Sequence, residues 1–222
     1  MLRHGITEGN KNRWFYGELD IPLLPEGIEQ LARQKEQGFY PEPPACTRFY
    51  TTGLIRTEET LVTLFGEREF GVISDLQEMK FGKFEGTTFD EVKDEEAFTS
   101  WTHDEGGDVE FPGGESRNQF AARVRRGIET LLENHRELEA SMMAREPEDR
   151  EDVLTVLICH GGVIAGMMNE LFPGVRKDMW AWMIEPGCGY IIDMDGSKPV
   201  GNCQIGELNV YYGKVLDPDG RV

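Results

Sequence analysis

Positive charge is scarce in this chain: 23 Lys and Arg stand against 41 Asp and Glu, for a formal net charge of -18 at pH 7. So acidic a composition argues against nucleic acid or an anionic membrane as a partner. Long apolar runs are missing too. None approaches the ~20 residues that cross a bilayer, and the first residues show no charged-then-apolar secretory pattern. Cysteine is sparse. Cys46, Cys159, Cys188 and Cys203 form no CxxC pair of the kind metal and redox motifs use. In a chain of 222 residues they are expected as reduced, mostly buried thiols, which points to a cytoplasmic setting. Neither an internal repeat nor a low-complexity linker interrupts the chain, and nothing in it sets an oligomeric state.

The acidity does not bar a phosphorylated ligand. Salt screens surface charge beyond ~8 Å at physiological ionic strength. Much of the acid lies in Asp90 to Glu115 and in Glu146 to Asp152, which are expected to face solvent. Local basic residues decide whether an anion binds.

Apolar runs rich in β-branched and aromatic residues predict buried strands at Phe49–Thr51, Val72–Ser74 and Val153–Cys159, with later strands at Tyr190–Met194 and Asn209–Tyr212. Helical spacing lies between them. Ile28, Leu31 and Ala32 share a face after Pro25, a good first-turn residue. Leu54, Ile55, Glu58, Leu61 and Phe65 outline a second helix, which Gly66 would end. Phe120, Val124, Ile128 and Leu131 mark a longer third helix with its arginines pointing outward. Val163 to Leu171 makes a fourth, ended by Pro173 and Gly174. Strands alternating with helices predict an α/β fold with a mainly parallel sheet flanked by helices. The stretch 87–114 is acidic and irregular and is expected as an insertion over that sheet.

Such sheets place ligands at the carboxyl ends of their strands. His160 stands there, directly after Val153–Cys159 and before Gly161 and Gly162. The chain start, Leu2-Arg3-His4-Gly5-Ile6-Thr7-Glu8-Gly9-Asn10, also suits an anion pocket. Arg3 can fork two hydrogen bonds onto phosphate oxygens. His4, with a reference pKa of ~6.5, offers a largely neutral nucleophilic nitrogen at pH 7. Taken alone, Arg56 among Thr57, Glu58 and Glu59 reads as a solvated charge, Glu78 as a surface carboxylate, His160 as a structural histidine and Asn10 as a helix cap. His103 and His135 read as exposed residues without a role. His103, Asp104, Glu105 and Asp108 have the spacing of no recognised metal motif.

The first segment resembles Arg-His-Gly-x-Thr-x-x-Asn, the signature of the histidine phosphatase superfamily, the phosphoglycerate mutase-like enzymes. Gly17, Asp20, Leu23 and Gly27 are similar to that family's Gly-x-x-Asp-x-x-Leu-x-x-x-Gly. Thr52 to Thr60 resembles its Ser-x-Leu-x-Arg-Ala-x-x-Thr, and Leu76 to Gly86 its Leu-x-Glu…Gly-x-(aromatic)-Glu-Gly. Pro112-Gly113-Gly114-Glu115-Ser116, with Arg123 after it, resembles a segment of the phosphatase branch that includes α-ribazole phosphatase. Cys159-His160-Gly161-Gly162 resembles the second histidine motif. Only Met1 and Leu2 precede Arg3, where the family has a full apolar strand, and Thr57 and Leu61 replace small alanines.

The resemblance implies a phosphoglycerate mutase-like three-layer fold spanning 1–222 as one histidine phosphatase domain, with an acidic insertion at about 87–114. It implies Arg3, His4, Arg56, Glu78 and His160 as catalytic residues and Asn10, Tyr16, Gly17 and Gly161 as substrate-binding ones, with no metal and no cofactor. His4 would attack phosphorus, Arg3, Arg56 and a protonated His160 would hold the oxygens, and Glu78 would protonate the leaving oxygen. At an effective dielectric of ~20, each unit-charge contact near 4 Å contributes ~4 kcal/mol before desolvation, so three could stand in for a metal ion. Mutases carry Arg-His-Tyr after the glutamate; Met79-Lys80-Phe81 stands there instead. That difference favours hydrolysis of a small phosphorylated metabolite over mutase-type transfer. The set His4, Glu78 and His160 disfavours a non-catalytic phospholigand module.

Overall fold

A computed structural model of the chain describes residues 1–194 and 205–211. Its elements run β1 (Leu2–Arg3), α1 (Glu8–Asn12), β2 (Trp14–Phe15), α2 (Pro25–Glu36), β3 (Cys46–Thr51), α3 (Ile55–Phe65) and β4 (Phe70–Val72). There follow β5 (Thr87–Thr88), α4 (Phe89–Val92), α5 (Glu96–His103), α6 (Arg117–Met143), β6 (Val153–Cys159), α7 (Gly161–Leu171), β7 (Gly189–Met194) and β8 (Ile205–Tyr211). The main sheet has the order β4-β3-β6-β1-β7-β8. The first four strands in that order are parallel, and β7 and β8 join antiparallel. The fold is thus α/β with a mainly parallel sheet.

β6 shows why helices cover both faces. Successive strand side chains alternate in direction, so Leu157 and Cys159 enter a core with Val124 and Ile128 of α6 and Val163 and Ile164 of α7. Val156 and Ile158 enter a second core with Leu31 of α2 and Leu61 and Leu64 of α3. Three layers result. α7 is apolar nearly all round, and its residues Gly161 to Ala165, Met167 and Met168 are all buried.

β1 is two residues long, yet it lies mid-sheet. Arg3 N–H donates to the Cys188 carbonyl at 2.8 Å, His4 N–H donates to the Cys159 carbonyl at 3.0 Å, and Gly187 N–H donates back to the Arg3 carbonyl at 3.1 Å. The chain is therefore gripped from both sides where His4 emerges.

Several local expectations need correction. β4 is an exposed edge strand ending at Val72, and Ser74 opens a 3-10 turn through Leu76. The core face of α3 is Arg56, Thr57, Thr60, Leu61 and Leu64, while Ile55 lies outside. In α2, Gly27 and Leu31 are buried and Ile28 is exposed. Arg123 turns inward from α6 and Glu115 is buried with it, so neither the arginines of that helix nor the acids up to Glu115 all face solvent. The stretch 87–114 is irregular only over 104–114, since β5, α4 and α5 occupy most of 87–103. Thr88 and Glu91 form a capping box for α4, and Phe98, Trp101 and Phe111 pack with Phe15, Phe81 and Phe84. His135 is half-buried within α6, its Nδ1 2.8 Å from Thr155 Oγ1. Cys159 is buried and its thiol is pushed up to about 12 by that burial. Cys203 and Tyr212 lie outside the described residues. Among the described residues no helix is long and apolar enough to cross a membrane.

Candidate active site

Each of the four parallel strands delivers side chains from its carboxyl end. His4 follows β1, Thr52 and Arg56 follow β3, Glu78 follows β4 after one 3-10 turn, and His160 follows β6. The structure brings these residues together.

His4 is buried, and its Nδ1 lies 2.7 Å from the Gly5 carbonyl. A carbonyl oxygen only accepts, so Nδ1 carries a hydrogen, and in the neutral ring Nε2 keeps its lone pair. The pKa is held well below 6.5, chiefly by burial and then by the charges of Arg56 and Arg3. His4 is a neutral imidazole with one bare nitrogen.

His160 sits 5.3 Å away between ring centroids, with its ring inclined at 60° to that of His4. Arg56 Nε–H donates to His160 Nδ1 at 3.4 Å, and Nε2 lies 2.9 Å from Thr52 Oγ1. A guanidinium only donates, so Nδ1 accepts and Nε2 carries the hydrogen. Burial, Arg56 and His4 push this pKa well below 6.5 as well. These hydrogen bonds fit the neutral ring, whereas the protonated His160 expected above belongs to a pocket that holds phosphate oxygens.

Arg56 is fully buried. It donates to the Leu19 carbonyl at 2.8 Å and the Gly17 carbonyl at 2.9 Å, and its guanidinium carbon lies 5.0 Å from the centre of the Tyr16 ring. Arg3 Nη1–H donates to the Ile184 carbonyl at 2.6 Å, while its Nε–H is buried without an acceptor among the described residues. Glu78 takes Gly162 N–H at 2.9 Å and Met79 N–H at 3.0 Å. A Cβ on Gly162 would come within 2.5 Å of Glu78 Oε1, and one on Gly161 within 3.1 Å of the Arg3 guanidinium carbon. The glycine pair lets both side chains lie against the start of α7.

The other anticipated binding residues are built into the frame. Asn10 closes a capping box with Thr7 on α1, its Oδ1 accepting from Thr7 N–H at 3.0 Å. Tyr16 is buried with its hydroxyl 2.8 Å from Thr7 Oγ1. Gly17 has no room for a side chain, since a Cβ would fall 1.8 Å from the Met79 carbonyl oxygen. Its N–H donates to Glu85 at 2.9 Å and so does not point at a ligand.

A family model described as the histidine phosphatase superfamily (branch 1) matches residues 1–203. The chain belongs to the histidine phosphatase superfamily. Within that superfamily it is 27% identical over 200 residues to 2,3-bisphosphoglycerate-dependent phosphoglycerate mutase of Parvibaculum lavamentivorans, covering 81% of this chain and 94% of that one. It is 32% identical over 181 residues to glucosyl-3-phosphoglycerate phosphatase of Mycobacterium tuberculosis, covering 77% and 73%. In fold it is similar to a putative alpha-ribazole-5'-P phosphatase of Escherichia coli, with a TM-score of 0.73 at 23% identity over 95% and 94% of the two chains. Phosphoryl-group chemistry is common to the names of these relatives.

Sequence reasoning missed other superfamily motif positions that shape the site. Glu85 gathers backbone N–H groups of Gly17, Glu18, Leu19 and Phe81, and so folds the loop that meets Arg56. Thr60 accepts from Gly5 N–H at 3.0 Å while donating to the Arg56 carbonyl at 2.7 Å, tying the His4 loop to α3. Both stand inside motifs whose spacing was visible, but only three-dimensional pairing shows what they hold.

Proposed function

We propose that this chain hydrolyses a small phosphate monoester without a metal ion, through a phosphohistidine on His4. The observation that carries this is the His4 tautomer: Nδ1–H is spent on Gly5, and Nε2 is bare beside two arginines. Nε2 attacks phosphorus in line as the ester P–O bond breaks. Arg3, whose buried Nε–H has no protein acceptor, and Arg56 bind the phosphoryl oxygens. The dianion supplies the negative charge the pocket lacks, so His160 takes up a proton on binding and donates to an oxygen. Glu78 gives a proton to the leaving alkoxide. Its carboxylate then takes a proton from water as that water breaks the N–P bond and frees His4.

Hydrolysis is favoured over mutase-type transfer by the residues after Glu78. Met79 is buried, and Lys80 Nζ lies 3.0 Å from Glu18 Oε1. That position offers one cation, already paired, for a second acidic group on a substrate. The substrate is accordingly a small phosphorylated metabolite, and a cytoplasmic setting suits it.

A panel of phosphorylated metabolites, assayed with EDTA present, tests the reading. Wild type should release phosphate from some members and His4→Ala from none. Loss of turnover on chelation, restored by Mg²⁺ or Zn²⁺, would overturn metal independence. Transfer of the phosphoryl group to an added phosphoglycerate in preference to water would establish the mutase alternative.

A further inference from the structure

We infer that the buried Arg123–Glu115 pair is a positioning unit for Glu78, an inference that rests on Glu78 being the general acid. Arg123 reaches across from α6 to the loop between β4 and β5. Its Nε and Nη2 each donate to the Glu115 carboxylate at 2.7 Å. Nη1 donates to the carbonyls of Asp75 at 3.0 Å and Gln77 at 2.8 Å, and Nη2 donates to the carbonyl of Glu78 itself at 3.1 Å. Those are five N–H groups with five acceptors, the full donor set of a guanidinium.

Glu115 grips the loop on the other side of Glu78. Its Oε2 accepts from Lys80 N–H at 3.1 Å, and its own N–H donates to the Lys80 carbonyl at 2.9 Å. The pair thus fixes the backbone at residues 75, 77, 78 and 80 while leaving the Glu78 carboxylate to Met79 N–H and Gly162 N–H. Both partners are nearly sealed from solvent, with side chains 11% and 10% exposed. A loop without regular ladder hydrogen bonds would otherwise leave these carbonyls unpaired. Neither Arg123 nor Glu115 donates to or accepts from His4, Arg3, Arg56 or His160. Arg123 reaches His160 through its charge alone, which a lysine at 123 would keep, so the geometric role of the pair runs through Glu78.

A displacement of ~1 Å at a reacting group can cost ~10²-fold in rate. Lysine at 123 keeps the charge but cannot serve five acceptors in a plane. The test is single-turnover phosphoenzyme formation from an alkyl phosphate and from p-nitrophenyl phosphate, whose leaving group needs little protonation. Arg123→Lys should lose at least ~10-fold more on the alkyl ester than on p-nitrophenyl phosphate, in the direction Glu78→Gln shows. Equal losses on both esters, or none, would overturn the inference, because a general folding defect does not sort leaving groups. Glu115→Gln, which keeps the side-chain shape, gives the same comparison if Arg123→Lys does not fold. Glu78→Gln is measured alongside. If it sorts the leaving groups and the clamp variants do not, the positioning role alone fails. If it does not, the acid assignment itself fails.

Discussion

His4 and His160 face each other edge-on, 5.3 Å between ring centroids; the contact from Arg56 requires neutral His160, and burial beside two arginines keeps His4 neutral as well. His4 spends Nδ1–H on a carbonyl, and His160 accepts Arg56 Nε–H on Nδ1. Two arginines and two histidines in one buried pocket cannot all be cationic without an anion. Arginine keeps its proton in a protein, so the histidines yield theirs.

That arrangement makes stability depend on pH. Both folded-state pKa values lie below the ordinary 6.5, through burial first and Arg56 next. The unfolded chain therefore binds protons more readily than the native one below that value. The contribution is fully present above about pH 6.5 and is lost as pH falls from there through the folded-state values. Thermal unfolding from pH 8 to 5 should show this loss, and His4→Gln should flatten the slope. A wild type that gains stability on acidification over that range would contradict the neutral pair.

Anion binding should reverse the balance. Sulfate is dianionic throughout this range and takes no proton itself. Calorimetric titration with sulfate at pH 7.5, in buffers of different ionisation enthalpy, should show uptake of about one proton per site by a histidine moved upward by the anion. No uptake would mean that His160 binds the oxygens as a neutral donor.

Gly162→Ala should damage the reaction more than the fold. The new Cβ would meet Glu78 Oε1 at 2.5 Å and displace the carboxylate. Turnover of an alkyl phosphate should fall ~10²-fold, in line with a shift of ~1 Å. Gly166→Ala on the same helix meets nothing closer than 3.8 Å and should keep wild-type turnover, with a helix stabilised by up to ~1 kcal/mol. Equal activity in the two variants would remove the Glu78–Gly162 contact from the account.

Much of the site was legible because it follows strand ends. The apolar run Val153–Cys159 is a strand from end to end, so His160 is placed by counting. Periodicity misjudged α3, because Arg56, Thr57 and Thr60 are polar residues on its buried face. Hydrophobic spacing cannot see a face buried for hydrogen bonding. Arg123 and Glu115 stand in a visible motif, but their burial was hidden, since each looks like surface charge until its partner 8 residues away is in place. The stretch 87–114 was obscured by its acids, although its aromatic rings carry the packing. Cβ clearance at Gly17 is set by the Met79 carbonyl, which no local pattern announces.

The most direct measurement is rapid acid-free quench of the enzyme with a ³²P-labelled phosphate monoester, followed by base-stable recovery and peptide mapping. The account predicts transient, acid-labile label on the peptide carrying His4, formed before phosphate release and absent in His4→Ala. Label on another residue, or label that persists in His4→Ala, would contradict it.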